Sequence, residues 1–133
     1  MDYLNILTAE MSAITLTLKL SLVTCIFLFF IGTPISLYLA FKKNKIIPIF
    51  ESLVTLPLVL PPTVIGFYLL VFFNPESVLG KFFITITGEQ LAFSFSGLVF
   101  ASIFYSLPFW VQPLQNSFEK IDKKILEAGT NMG

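Results

Sequence analysis

The side chains that most often do chemistry are scarce in this sequence. It holds no histidine and a single cysteine, Cys25, and every basic residue is a lysine. That leaves no nucleophile–base pair and no set of zinc-type ligands. Neither catalysis nor a cofactor is expected, and Cys25, lying in an apolar run, reads as a small buried hydrophobe. What remains reactive is the backbone. Pro57, Pro61 and Pro62 fall within one uncharged run, LVTLPLVLPPTVIGFYLLVFF, with Thr63 beside them and Gly66 close behind. Each proline lacks an N–H and clashes with the carbonyl four residues back. The freed carbonyls need protein, hydroxyl or water partners, a strict demand in lipid. Broken segments of this kind line cavities in transporters. Pro57, Pro61, Pro62, Thr63 and Gly66 are therefore candidates for lining a path through the molecule. A kinked structural helix is the plain alternative, and Thr55 and Thr63 could either patch the helix or face a path.

These residues must be held by membrane-spanning helices. Of 133 residues, 56% are hydrophobic and 12% charged, against roughly 25% charged in a soluble domain. Leu20–Phe41, Leu53–Phe73 and Leu91–Val111 carry no charge, and a spanning helix needs about 20 mostly apolar residues. Helices apolar all round must be buried, and a chain this short cannot bury three of them in itself. The fold expected is an all-α membrane protein with about three transmembrane helices at 14–41, 53–73 and 91–111. Gly32-Thr33-Pro34 and Ser36 in the first, and Gly97, Ser102, Ser106 and Pro108 in the third, are small or helix-bending residues that let helices approach closely.

Lysines set the orientation. Lys42, Lys43 and Lys45 follow the first span and Lys120, Lys123 and Lys124 follow the third, against Lys19 and Lys81 on the other side. The positive-inside rule then places 42–52 and 112–133 in the cytoplasm, and the N-terminus and 74–90 outside. Asn74-Pro75, Gly80 and Gly88 read as turn residues of that outer loop. Residues 1–13 carry Asp2 and Glu10 and no basic region, which does not fit a signal peptide. Leu4, Leu7 and Met11 have helical spacing, as in a segment lying along the outer interface. Glu51 sits near the cytoplasmic mouth of the second span. No ionisable residue lies deep in any span, which argues against ion-coupled transport, and the net charge of zero gives no sign of a nucleic-acid surface.

After Pro113 the chain turns polar: LQNSFEKIDKKILEAGTNMG. Asp122 is a plausible N-cap for a short helix from Lys123. Ile125, Ala128, Gly129 and Met132 then form one narrow stripe. Ala and Gly bury little area but admit another backbone, as in a helix docking in a partner's groove.

Glu127-Ala128-Gly129-x-x-x-Gly133 resembles the start of the Glu-Ala-Ala-x-x-x-Gly loop motif of ABC-importer permeases, with Gly129 where that family usually has Ala. LPLVLPPTVIGFYLL (Leu56–Leu70), GTPISLYLA (Gly32–Ala40), FSFSGLVFAS (Phe93–Ser102) and LPFWVQPLQNSFEKID (Leu107–Asp122) are similar to the molybdate (or tungstate) branch of that family, to which sulfate permeases are close. The resemblance covers the chain from about residue 12. It implies a type I ABC-importer permease fold in the cell membrane, in which Glu127, Ala128, Gly129 and Gly133 form a cytoplasmic coupling helix seated in a cleft of an ABC ATPase subunit. It also implies delivery of solute by an extracytoplasmic solute-binding protein, and a second permease copy forming the path. The motif of that family continues with Ile-x-Leu-Pro and further spans, so the chain is expected to be the N-terminal part of a permease or a truncated product. Two rivals stand beside this reading. One is a sulfate or other oxyanion permease. The other is a non-transporting membrane anchor that recruits a partner through its last helix.

Overall fold

The computed structural model describes Met1–Met132, without the side chains of Asp122 and Met132. Gly133, and with it the last residue of the coupling motif, lies outside the described residues. The chain forms α1 (Asp2–Phe41), α2 (Ile47–Val59), α3 (Pro62–Phe73), α4 (Val78–Thr87) and α5 (Phe95–Met132), with no strand among the described residues. Two helices, α1 and α5, are long and apolar enough to cross a membrane, and α2 with α3 would make a third if the bent pair is one span.

Helix α1 has 40 residues, about 60 Å at 1.5 Å per residue, twice the thickness of a ~30 Å hydrocarbon core. Residues 2–13 are the first turns of this helix. In its first half Thr8, Ser12, Thr15 and Thr17 satisfy their hydroxyls locally, donating to carbonyls three or four residues back at 2.8–2.9 Å. Such back-bonding lets polar side chains sit on an outward-facing helix. Cys25 is exposed on α1, contrary to the burial expected of it. That expectation belongs to proteins in water, and a helix bathed in lipid has no reason to hide a thiol.

The main packing is α1 against α5. Gly32 lies under Trp110 so closely that a Cβ there would come within 2.5 Å of the indole Cδ1. The indole N–H donates to Thr33 Oγ1 at 3.3 Å. Ser36 is completely buried and donates to the Gly32 carbonyl at 2.7 Å, with the Val111 carbonyl of α5 at 3.4 Å. Below this, Leu39, Ile47 and Val111 form a core that joins α1, α2 and α5, flanked by Ile35, Val54 and Leu107. A second core of Phe73, Leu91 and Ala92 ties α3 to the start of α5.

The segment 74–90, read as a turn-rich loop, carries α4. Ser77 caps it by accepting from the Gly80 N–H at 3.0 Å, and Gly88 closes it in the left-handed conformation at φ 76°. Gly80 is an interior residue of this helix, where a Cβ would collide with the Asn74 carbonyl. The N-cap expected at Asp122 does not occur. Its backbone is helical, and α5 runs unbroken through it for 38 residues with Pro108 and Pro113 inside. No glycine or other stop signal lies between Pro113 and Lys123 to end the helix, so nothing is there for Asp122 to restart.

Candidate functional site

The second apolar run folds as two helices that meet at 110°. α2 ends at Leu60, whose N–H still reaches the Leu56 carbonyl at 3.2 Å but whose ψ of 139° is extended. Pro61 is extended too, at φ −60° and ψ 142°. Two successive extended residues turn the chain. Pro62 then opens α3, where a missing N–H costs nothing. The Pro61 carbonyl accepts from the Val64 and Ile65 N–H groups at 3.0 and 3.1 Å.

The turn leaves acceptors bare. In a continuous helix the Pro57 and Leu58 carbonyls would bond the N–H groups of residues 61 and 62, and both are prolines. The break therefore presents carbonyl oxygens from the end of α2 beside the first turn of α3. Pro61, Pro62 and Thr63 are exposed, Pro57 is buried, and Gly66 is half-buried with no atom within 4 Å of where a Cβ would stand. The candidates Pro57, Pro61, Pro62, Thr63 and Gly66 thus all lie at or within one turn or so of a single break. Thr55 is resolved as a patch: its hydroxyl bonds the Glu51 and Ser52 carbonyls at 2.9 and 3.1 Å.

The second candidate group is on α5. Glu127, Ala128 and Gly129 are exposed, and a Cβ on Gly129 would meet nothing within 4 Å. Among the described residues no neighbour explains a glycine at 129. The two groups sit on different helices.

What lies between them was not flagged by the sequence. Gln115 of α5 is 8% exposed. It donates to Glu51 Oε1 of α2 at 2.7 Å and to Glu119 Oε1 at 3.2 Å. Beside it a cavity of about 790 Å³ opens at the end of the molecule where Lys42, Lys43, Lys45 and Lys123 gather around Glu51 and Glu119. An amide in a polar stretch after a span carries no signal of burial, and only the tertiary arrangement reveals it.

Comparison with known proteins shows what the chain is similar to. A molybdenum transport system permease protein of Azotobacter vinelandii is 46% identical over 123 residues, covering 92% of this chain and 54% of the relative. Over most of its length the chain is thus similar to transport permeases. A probable transport system permease protein of Clostridium pasteurianum is 32% identical over 133 residues, 99% of this chain and 44% of its own length. A sulfate transport system permease protein of Synechocystis is 34% identical over a shorter stretch of 93 residues, 70% of this chain and 31% of the relative. The chain spans about half the length of the curated relatives it matches. No family model matches it, and no solved structure does.

Proposed function

We propose that this chain serves as a permease subunit of an ATP-driven importer that moves molybdate, or tungstate, across the cell membrane. The observation that carries this is its likeness to a molybdenum transport permease along nearly its whole length. The lysine distribution supports an N-terminus outside, spans near 14–41, 53–73 and 91–111, and cytoplasmic segments at 42–52 and 112–133. ATP hydrolysis belongs to a separate cytoplasmic ABC subunit, and an extracytoplasmic binding protein delivers the anion. A second permease copy completes the path, which passes the break at Pro61-Pro62 with Thr63 and Gly66 beside it.

The missing fixed cations fit this division of labour. Selectivity rests with the binding protein, and a ring of tightly binding cations along the path would slow release. The open space around Gly129 supports its reading as a docking residue, with Glu127, Ala128 and Gly133, for the ATPase cleft. The likeness to a sulfate permease supports sulfate as the second substrate to test.

Uptake of labelled molybdate into proteoliposomes holding the permease, its ATPase and its binding protein tests this reading. Competition by tungstate and sulfate ranks the anions. ATP-dependent uptake displaced by tungstate before sulfate is expected. Uptake displaced first by sulfate would reassign the substrate, and no uptake by a correctly assembled complex would favour a membrane anchor. In the same vesicles Gly129→Trp should lower uptake by tenfold or more, a coupling loss of about 1.4 kcal/mol, while membrane insertion persists. An unchanged solute-stimulated ATPase rate would remove Gly129 from the docking surface.

A further inference from the structure

The Gln115 amide has two N–H bonds and spends both on carboxylates. One goes to Glu51 on α2 at 2.7 Å and the other to Glu119, one turn along its own helix, at 3.2 Å. A neutral amide with two anionic acceptors has its donors fully used, and hydrogen bonds to charged groups are the stronger kind. Gln115 is buried and Glu51 half-buried, so water competes poorly for the amide. Glu119 fixes the side chain from below while Glu51 holds it from across the helix interface.

Position gives this contact its meaning. Gln115 is twelve residues from Glu127 along the unbroken α5, a rigid span of about 18 Å. Glu51 lies in the first half of α2, nine residues before the break at Leu60. Beside this bond, α2 meets α5 through apolar side chains of the Leu39–Ile47–Val111 core. Such a core tolerates sliding, because dispersion contacts are not directional. A short hydrogen bond to a carboxylate is directional, and it ties one helix to a defined rotation of the other.

We propose that Gln115 is a positioning residue that clamps the broken segment to the coupling helix, so that movement of the Glu127–Gly129 end of α5 is delivered through Glu51 to the α2–α3 break. This deepens the permease reading and rests on it. The clamp acts through its two donors and not through its bulk. Leucine at 115 keeps the volume and removes both donors, leaving two like charges facing an apolar group. Arginine at 115 restores donors to both carboxylates in a fixed fork.

The test uses the assembled transporter in proteoliposomes, with uptake and ATP hydrolysis measured together and thermal unfolding followed in detergent. Gln115→Leu should lower anion moved per ATP by about tenfold, within the usual range of coupling between sites. Gln115→Arg should return it to within about twofold of the parent, since Arg forms paired bonds with carboxylates. Glu51→Gln keeps an acceptor of the same shape and should fall between, and it serves where Gln115→Leu does not assemble. A parent-like ratio in Gln115→Leu, or in Glu51→Gln where that variant stands in, overturns the clamp. So does a Gln115→Arg variant that is stably assembled yet no better coupled than Gln115→Leu. If the parent complex itself shows no coupled uptake, the permease reading fails before the clamp is tested.

Discussion

The α1–α5 seam and the α2–α3 break are built from similar residues and end in opposite states. Both combine glycine, proline and hydroxyl side chains in an apolar setting. At the seam these residues are consumed by packing. Gly32 admits Trp110, Thr33 accepts its N–H, and Ser36 is sealed between two carbonyls. At the break they remain available. Gly66 faces open space, Pro61, Pro62 and Thr63 are exposed, and the carbonyls of Pro57 and Leu58 have no helical donor opposite them. Small and helix-breaking residues therefore do not mark a site by themselves. What distinguishes a site is whether the surrounding chain already uses what they offer. Thr24 departs from this pattern within the seam: its buried hydroxyl has no partner among the described residues, beside a cavity of about 370 Å³ also lined by Ser102 and Ser106.

The contrast can be broken most forcefully at the prolines. Replacing Pro61 and Pro62 together by Ala supplies the donors that the Pro57 and Leu58 carbonyls lack and lifts the cost of about 3 kcal/mol per proline that a continuous helix through these positions would carry. The segment should straighten, and uptake should fall by more than tenfold in the assembled transporter. Undiminished uptake would mean that the bend is only architectural. Gly32→Leu is next. It drives a side chain into the indole and should cost about 1–3 kcal/mol, as overpacking does, read as a lowered Tm in detergent. Gly66→Leu has room and should shift stability by no more than about 0.5 kcal/mol. Equal losses at both positions would erase the distinction between seam and break. Ser36→Ala should cost about 1 kcal/mol for one buried hydrogen bond, with transport otherwise intact.

Much of the fold was legible from composition, because an uncharged run of spanning length has few alternatives. The break was legible too, since consecutive prolines remove donors whatever the context. The extents of the helices were harder. Residues 2–13 merge with α1 because no glycine or proline between Asp2 and Leu20 stops a helix, whereas Asn74 to Gln90 hides a helix whose cap, Ser77, works only because Gly80 can approach Asn74. Asp122 was a reasonable cap by residue type, but capping needs an interruption and α5 has none there. Gln115 was invisible because its role depends on Glu51, 64 positions away, and a pairing at that separation leaves no local pattern.

The central claim is that the α2–α3 break lies on the solute route. Its most direct test places a single cysteine at position 63, with Cys25→Ser removing the native thiol, in the assembled transporter in proteoliposomes. A small charged thiol reagent is added with and without molybdate while the binding protein and ATP are present. The account predicts modification at Thr63→Cys that molybdate slows. A thiol that is never modified, or one modified at the same rate with the anion present, would contradict it.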